Sequence, residues 1–76
     1  MEVEPQEKNS SYPYSAATER YMKMFYNNLN EKDKRHYAAV EAQKLPYGGI
    51  SYIAELLGCA RSTIHDGLEE LKKTIS

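Results

Sequence analysis

The chain has one cysteine, Cys59, so no internal disulfide can staple its fold. That usage fits a reducing compartment. No apolar run is long enough to span a membrane, and no signal-peptide pattern opens the sequence. Together these features predict a soluble, cytoplasmic protein. An excess of charge is also lacking. The formal net charge is −1 and the pI is about 6.1, which counts against a nucleic-acid binder working by bulk charge. Cys59, His36 and His65 do not have zinc-ligand spacing, so no metal site is expected. Gly48-Gly49 lacks the lysine and preceding strand of a phosphate-binding loop. Glu69 and Glu70 are neighbours that diverge on a helix, so they make no catalytic carboxylate pair. The expectation is a protein that is not an enzyme, with no cofactor, no small-molecule substrate and no membrane partner.

Seventy-six residues suffice for one small domain with a limited core, and a hydrophobic fraction of 41% allows it to fold. Charge is unevenly placed along it. Over residues 1–19 Lys8 alone faces Glu2, Glu4, Glu7 and Glu19, a net of −3. Residues 20–45 carry six basic side chains against three acidic ones, a net of +3, and residues 46–76 return to −1.

Residues 1–15, polar and holding Pro5 and Pro13, read as a flexible or loosely docked tail. Tyr12 and Tyr14 there have two readings, a hydrophobic tether to the body or a partner-binding strand. Residues 16–76 read as an all-α bundle of about four helices ending in a helix-turn-helix. The first helix covers residues 16–28, capped by Ser15 or Thr18, with Tyr21, Met24, Phe25 and Leu29 as its apolar face. The second starts at Asn30, with Asp33 three residues on as a near capping box, and stops at Pro46. Its stripe is Tyr37, Ala38, Val40, Ala42 and Leu45, with Lys32, Lys34, Arg35 and Glu41 on the wet side. Residues 50–57 form a short third helix. Residues 58–60 turn, and a fourth helix runs from Arg61 to about Thr74 with Ile64, Leu68, Leu71 and Ile75 at helical spacing. Gly67 lies inside it at a cost of about 1 kcal/mol relative to alanine. Such a glycine predicts close packing, here against the third helix.

The third and fourth helices carry the specific signal. Small Ala54, then Gly58 four residues later, with Ile50, Ile53, Leu57, Ile64 and Leu68 around them, suit two short helices joined by a tight turn. In a helix-turn-helix the start of the second helix meets base edges. That nominates Arg61, Ser62, Thr63, His65 and Asp66. Arg61 can fork onto guanine, and Asp66 repels phosphate but can accept from a cytosine amino group. Ser62 and Thr63 have a second reading as caps of their own helix. Phosphate contacts are expected from Gly49, Ser51 and Tyr52 at the start of the third helix, and from Arg35 and Lys44. Ser51 also reads as a helix cap, Tyr52 as an exposed packing aromatic, and the lysines and arginine as a solvated face. Cys59 is expected as a buried thiol. A DNA complex on this plan weakens steeply with salt. The competing reading is a protein-interaction or dimerisation module, favoured by the tyrosine content, with Tyr47 and Tyr52 near the motif, and by the near-zero charge.

Several blocks in fixed order add to this: Leu29-Asn30-Glu31-Lys32, Arg35-His36-Tyr37-Ala38-Ala39-Val40-Glu41-Ala42, Gly48-Gly49-Ile50-Ser51, Gly58, Arg61-Ser62-Thr63-Ile64 and Gly67-Leu68-Glu69-Glu70-Leu71. Over residues 29–71 the chain resembles the N-terminal region of ISAzo-type (Rhodopirellula-type) insertion-sequence transposases. The resemblance implies an end-binding domain for terminal inverted repeats. In that family it precedes a ribonuclease-H-like domain with a DDE triad, which this chain lacks. Arg61, Ser62 and Thr63 match the family's opening of the recognition helix. Cys59-Ala60 departs from its leucine-serine pair, and His65 and Asp66 from its basic residues. The partners it implies are double-stranded DNA and either a second copy or a separate catalytic domain.

Overall fold

The computed structural model describes residues 13–75, which are all-helical. The elements are α1 (Ala16–Asn27), α2 (Glu31–Lys44), α3 (Gly49–Leu57) and α4 (Arg61–Ile75). Residues 1–12, and with them Tyr12 and most of the expected tail, lie outside the described residues.

The helix ends follow from local chemistry. Ser15 caps α1 by accepting from the Thr18 amide at 3.2 Å, and Asn30 caps α2 by accepting from the Asp33 amide at 2.8 Å. Each side chain satisfies an amide that the first helical turn leaves without a partner. Asn28 closes α1, its amide Nδ2 donating to the Met24 carbonyl at 2.9 Å. Lys72 and Lys73 lie in the last turn of α4, where positive charge suits the carbonyl end of a helix.

The α2 helix runs through the middle of the packing. It presents Ala38, Ala39 and Ala42, all buried, and their small side chains let α3 and α4 come close. Ile53 of α3 and Ile64 of α4 are fully buried beside them, with Ala54 and Leu57 completing the α3 contribution. α1 adds Met22 and Tyr26. Tyr14 packs on this core with its ring 6.2 Å from that of Tyr52, which is the tether arrangement.

Two expected faces are wrong. On α1 the buried residues are Met22 and Tyr26, whereas Tyr21, Met24 and Phe25 are 69%, 53% and 54% exposed. The helix is apolar on two overlapping stripes, so periodicity alone does not choose between them. The choice falls to the stripe in line with Glu19, which bonds Tyr52 of α3. On α2, Val40 faces outward at 45% exposure and Ala39 takes the inward place. Glu41, expected in water, is largely covered, its side chain 12% exposed and bonded by Lys44. Lys34 lays its ammonium 5.3 Å from the Tyr26 ring centroid.

Gly67 is also placed differently from expectation, since it meets α2 and not α3. A Cβ there would overlap the Arg35 carbonyl oxygen and come within 3.0 Å of the Ala39 Cβ. The two helix backbones touch at this point, and no other residue fits. Helix propensity alone would make Gly67→Ala stabilising by about 1 kcal/mol. The steric overlap reverses the sign. Gly67→Ala should destabilise by about 1–3 kcal/mol, lowering Tm by several degrees in a thermal melt. A raised Tm would show that the helices do not approach this closely.

Candidate nucleic-acid interface

The pair α3–α4 is joined by Gly58, Cys59 and Ala60. Gly58 sits at φ 76°, a left-handed conformation that costs glycine little. Its amide and that of Cys59 both donate to the Ala54 carbonyl, at 2.9 and 3.0 Å, which closes α3. The Thr63 amide then donates to the Ala60 carbonyl at 3.1 Å and starts α4. Behind the turn lie Ile53, Ala54, Leu57 and Ile64, all buried. Cys59 is half-buried beside the Tyr26 hydroxyl, and burial pushes its thiol and that hydroxyl above their ordinary pKa values.

This geometry leaves the start of α4 outside. Arg61, Ser62, His65 and Asp66 are exposed and Thr63 is half-buried. Among the described residues none of these five side chains makes a hydrogen bond or ion pair, so Ser62 and Thr63 do not cap the helix through their hydroxyls. A groove of about 410 Å³ in the angle between the helices is lined by Ser51, Ala54, Glu55, Cys59 and Arg61. Glu55, which the sequence reading passed over, therefore shares the groove with Arg61.

The expected phosphate contacts separate from one another. Gly48 is the N-cap of α3, in a left-handed conformation with no side-chain cap bond, so Ser51 is not the cap. Ser51 is exposed beside amides that no side chain satisfies. Gly49 is buried, where a Cβ would stand 2.6 Å from the Ala42 carbonyl oxygen, so α2 covers it. Tyr52 is half-buried, and its hydroxyl donates to the Glu19 carboxylate. Burial and that carboxylate hold the phenol proton in place far above its usual pKa. Tyr52 thus ties α3 to α1 and is not free to reach a phosphate.

Arg35 is likewise committed. Its Nε lies 3.2 Å from the Glu70 carboxylate, and the His36 Nε2 lies 2.9 Å from the same group. Lys44 is 57% exposed and 3.3 Å from Glu41, and it lines a different groove together with Leu68, Leu71 and Lys72. Of the five expected phosphate contacts, Ser51 alone is both exposed and unengaged at this interface. Glu19 and Glu70 were the unforeseen partners. Glu70 carries a sequence signal in hindsight: it lies one turn beyond Gly67 and so faces the helix on which that glycine packs. Among the described residues no three His, Cys, Asp or Glu side chains gather as a metal site. Among the same residues no helix is long and apolar enough to cross a membrane.

No family model, curated protein or solved structure matches the chain.

The Glu70 cluster has a pH consequence. Hydrogen bonds from His36 and Arg35 hold the Glu70 carboxyl below the usual glutamate range. A carboxylate depressed in the folded state stabilises above its unfolded pKa, and that contribution disappears as pH falls through the folded value. Thermal melts through the acid range should therefore show a shallower loss of Tm for Glu70→Gln than for the unaltered protein. Parallel curves would remove the linkage.

Proposed function

We propose that α3 and α4 form a reader of duplex DNA, with the first turns of α4 in the major groove, in an end-binding domain of a transposase-like protein. The observation that carries this reading is the exposed, unengaged set Arg61, Ser62, His65 and Asp66 beside a tight turn whose apolar side chains all lie behind it. A surface of this kind offers donors and acceptors at little desolvation cost. Arg61 is the guanine-reading side chain, since its fork matches the O6 and N7 acceptors. Asp66 selects against phosphate proximity and for a cytosine amino group, so it adds choice and not grip. Ser51 and the neighbouring α3 amides anchor one phosphate, as helix N-termini do.

The competing reading, a protein-interaction module built on the α3 surface, calls for an apolar patch there. The large exposed apolar side chains lie elsewhere, Tyr21, Met24 and Phe25 on α1 and Val40 on α2. Tyr47, 96% exposed, sits beside Pro13, Leu45 and Pro46 before α3 begins and away from the start of α4, and Tyr52 is turned to Glu19. The polar character of the α3–α4 face supports DNA.

With Arg35 and Tyr52 engaged internally, few groups remain to displace counterions. Binding should weaken with salt at a slope corresponding to about two phosphates, shallower than the basic middle of the sequence suggests. Arg61→Ala should cost about 1–3 kcal/mol on a specific duplex and much less on random duplex, read by fluorescence anisotropy at two salt concentrations. Equal loss on both duplexes would remove the base-reading role of Arg61. Absence of NMR shifts across residues 50–65 at low salt would remove DNA binding itself.

A further inference from the structure

A second concave surface lies at the other end of α4. The C-terminal halves of α2 and α4 enclose a groove of about 420 Å³, lined by Val40, Gln43, Lys44, Leu68, Leu71 and Lys72. Val40, Leu68 and Leu71 form its apolar floor, and Val40 remains 45% exposed. Each rim carries a lysine, Lys44 from α2 and Lys72 from α4. Both ammonium groups sit in three-apart pairs, Lys44 with the largely covered Glu41 at 3.3 Å and Lys72 with the exposed Glu69 at 3.6 Å. The exposed Lys72–Glu69 pair contributes little and exchanges readily for a better-placed acid, and the Lys44 ammonium is itself 57% exposed and open to a second carboxylate.

We propose that this groove docks an acidic amphipathic helix of another protein chain. An apolar floor between two basic rims is complementary to a helix with apolar anchors at i, i+3, i+4 and i+7 and carboxylates on either side of them. Charge disfavours the other occupants. A second copy would bring its exposed α1 stripe of Tyr21, Met24 and Phe25, but Arg20 and Lys23 adjoin that stripe and would meet the rim lysines. Residues 1–12 of the chain are acidic, with Glu2, Glu4 and Glu7, but Val3 is their sole branched aliphatic residue and Pro5 interrupts any helical row. The groove uses Leu68, Leu71 and Lys72, whereas the reading side chains end at Asp66, so docking stands or falls independently of DNA binding.

The test is an NMR titration of the full isotope-labelled chain with two synthetic peptides of about fourteen residues. Both carry leucines at the amphipathic spacing, one with glutamate and the other with lysine elsewhere. The glutamate peptide should shift Val40, Gln43, Leu68 and Leu71 and bind at least about tenfold tighter than the lysine peptide. Lys72→Glu and Val40→Glu, each at an exposed position, should weaken it by about the same factor while the thermal melt stays cooperative. Equal affinity for the two peptides, or shifts confined to α1, would overturn the proposal. So would no shift at all. If deleting residues 1–12 shifts the groove resonances without peptide, the occupant is the chain's own segment. If those resonances move with protein concentration, it is a second copy. Either result overturns the assignment to another chain.

Discussion

The contact of α4 with α2 at Gly67 sets the position of everything that faces outward. Helices packed through side chains stand 8–10 Å apart. Here the missing Cβ of Gly67 lets the α4 backbone meet the Arg35 carbonyl and the Ala39 methyl. That approach buries Ile64 one turn before the glycine and brings Glu70 one turn after it onto Arg35 and His36. The alanines of α2 are the counterpart of this glycine: larger residues at Ala38, Ala39 or Ala42 would hold the neighbouring helices away. The limited core of a small chain is thus offset by backbone proximity.

Much of the basic character of the middle segment is used within the molecule. Arg35 and His36 clamp Glu70, Lys34 covers the Tyr26 ring, and Lys44 bonds Glu41. Arg35, His36 and Glu70 remain partly open to solvent, so each of these pairs is a modest contribution to stability. Their larger effect is on what remains for a partner. A count of positive charges along the sequence suggests a phosphate track, but the folded surface at α3–α4 offers Arg61 in a groove shared with Glu55. On the proposed DNA-reading role, near-neutrality at this face would favour discrimination over grip.

What could be read in advance was local. The Ser15 and Asn30 caps, the Gly58 turn and the four helices follow from residue types a few positions apart, and each appears where those residues place it. What could not be read joins distant parts of the chain. Arg35 to Glu70 and Tyr52 to Glu19 span more than thirty residues, and no spacing rule announces such partners. The inward face of α1 was illegible for another reason. Tyr21, Met22, Met24, Phe25 and Tyr26 supply two apolar stripes, and the one that packs, Met22 and Tyr26, is set by contacts with distant elements, Glu19 in line with it bonding Tyr52 of α3. The exposed start of α4 was legible because a tight turn fixes which side of the following helix faces the core. The internal bonds of Arg35 and Tyr52 were not, because being basic or hydroxylated says nothing about which acid lies across the fold.

A helix turns by about 100° per residue, so the rotation of α4 about its own axis decides its whole outward face at once. Gly67 fixes that rotation, since no other residue of α4 allows the backbone contact. Its choice places Ile64 and Leu68 toward the core and Arg61, Ser62, His65 and Asp66 away from it. A rotation of one residue would carry Glu70 off α2, release Arg35 and His36 to solvent, and turn Ile64 outward. The exposed face would then become more basic and more apolar together. The same glycine therefore controls packing and surface charge. It keeps the polar start of α4 and the apolar groove near its end as two separate surfaces on one rigid helix.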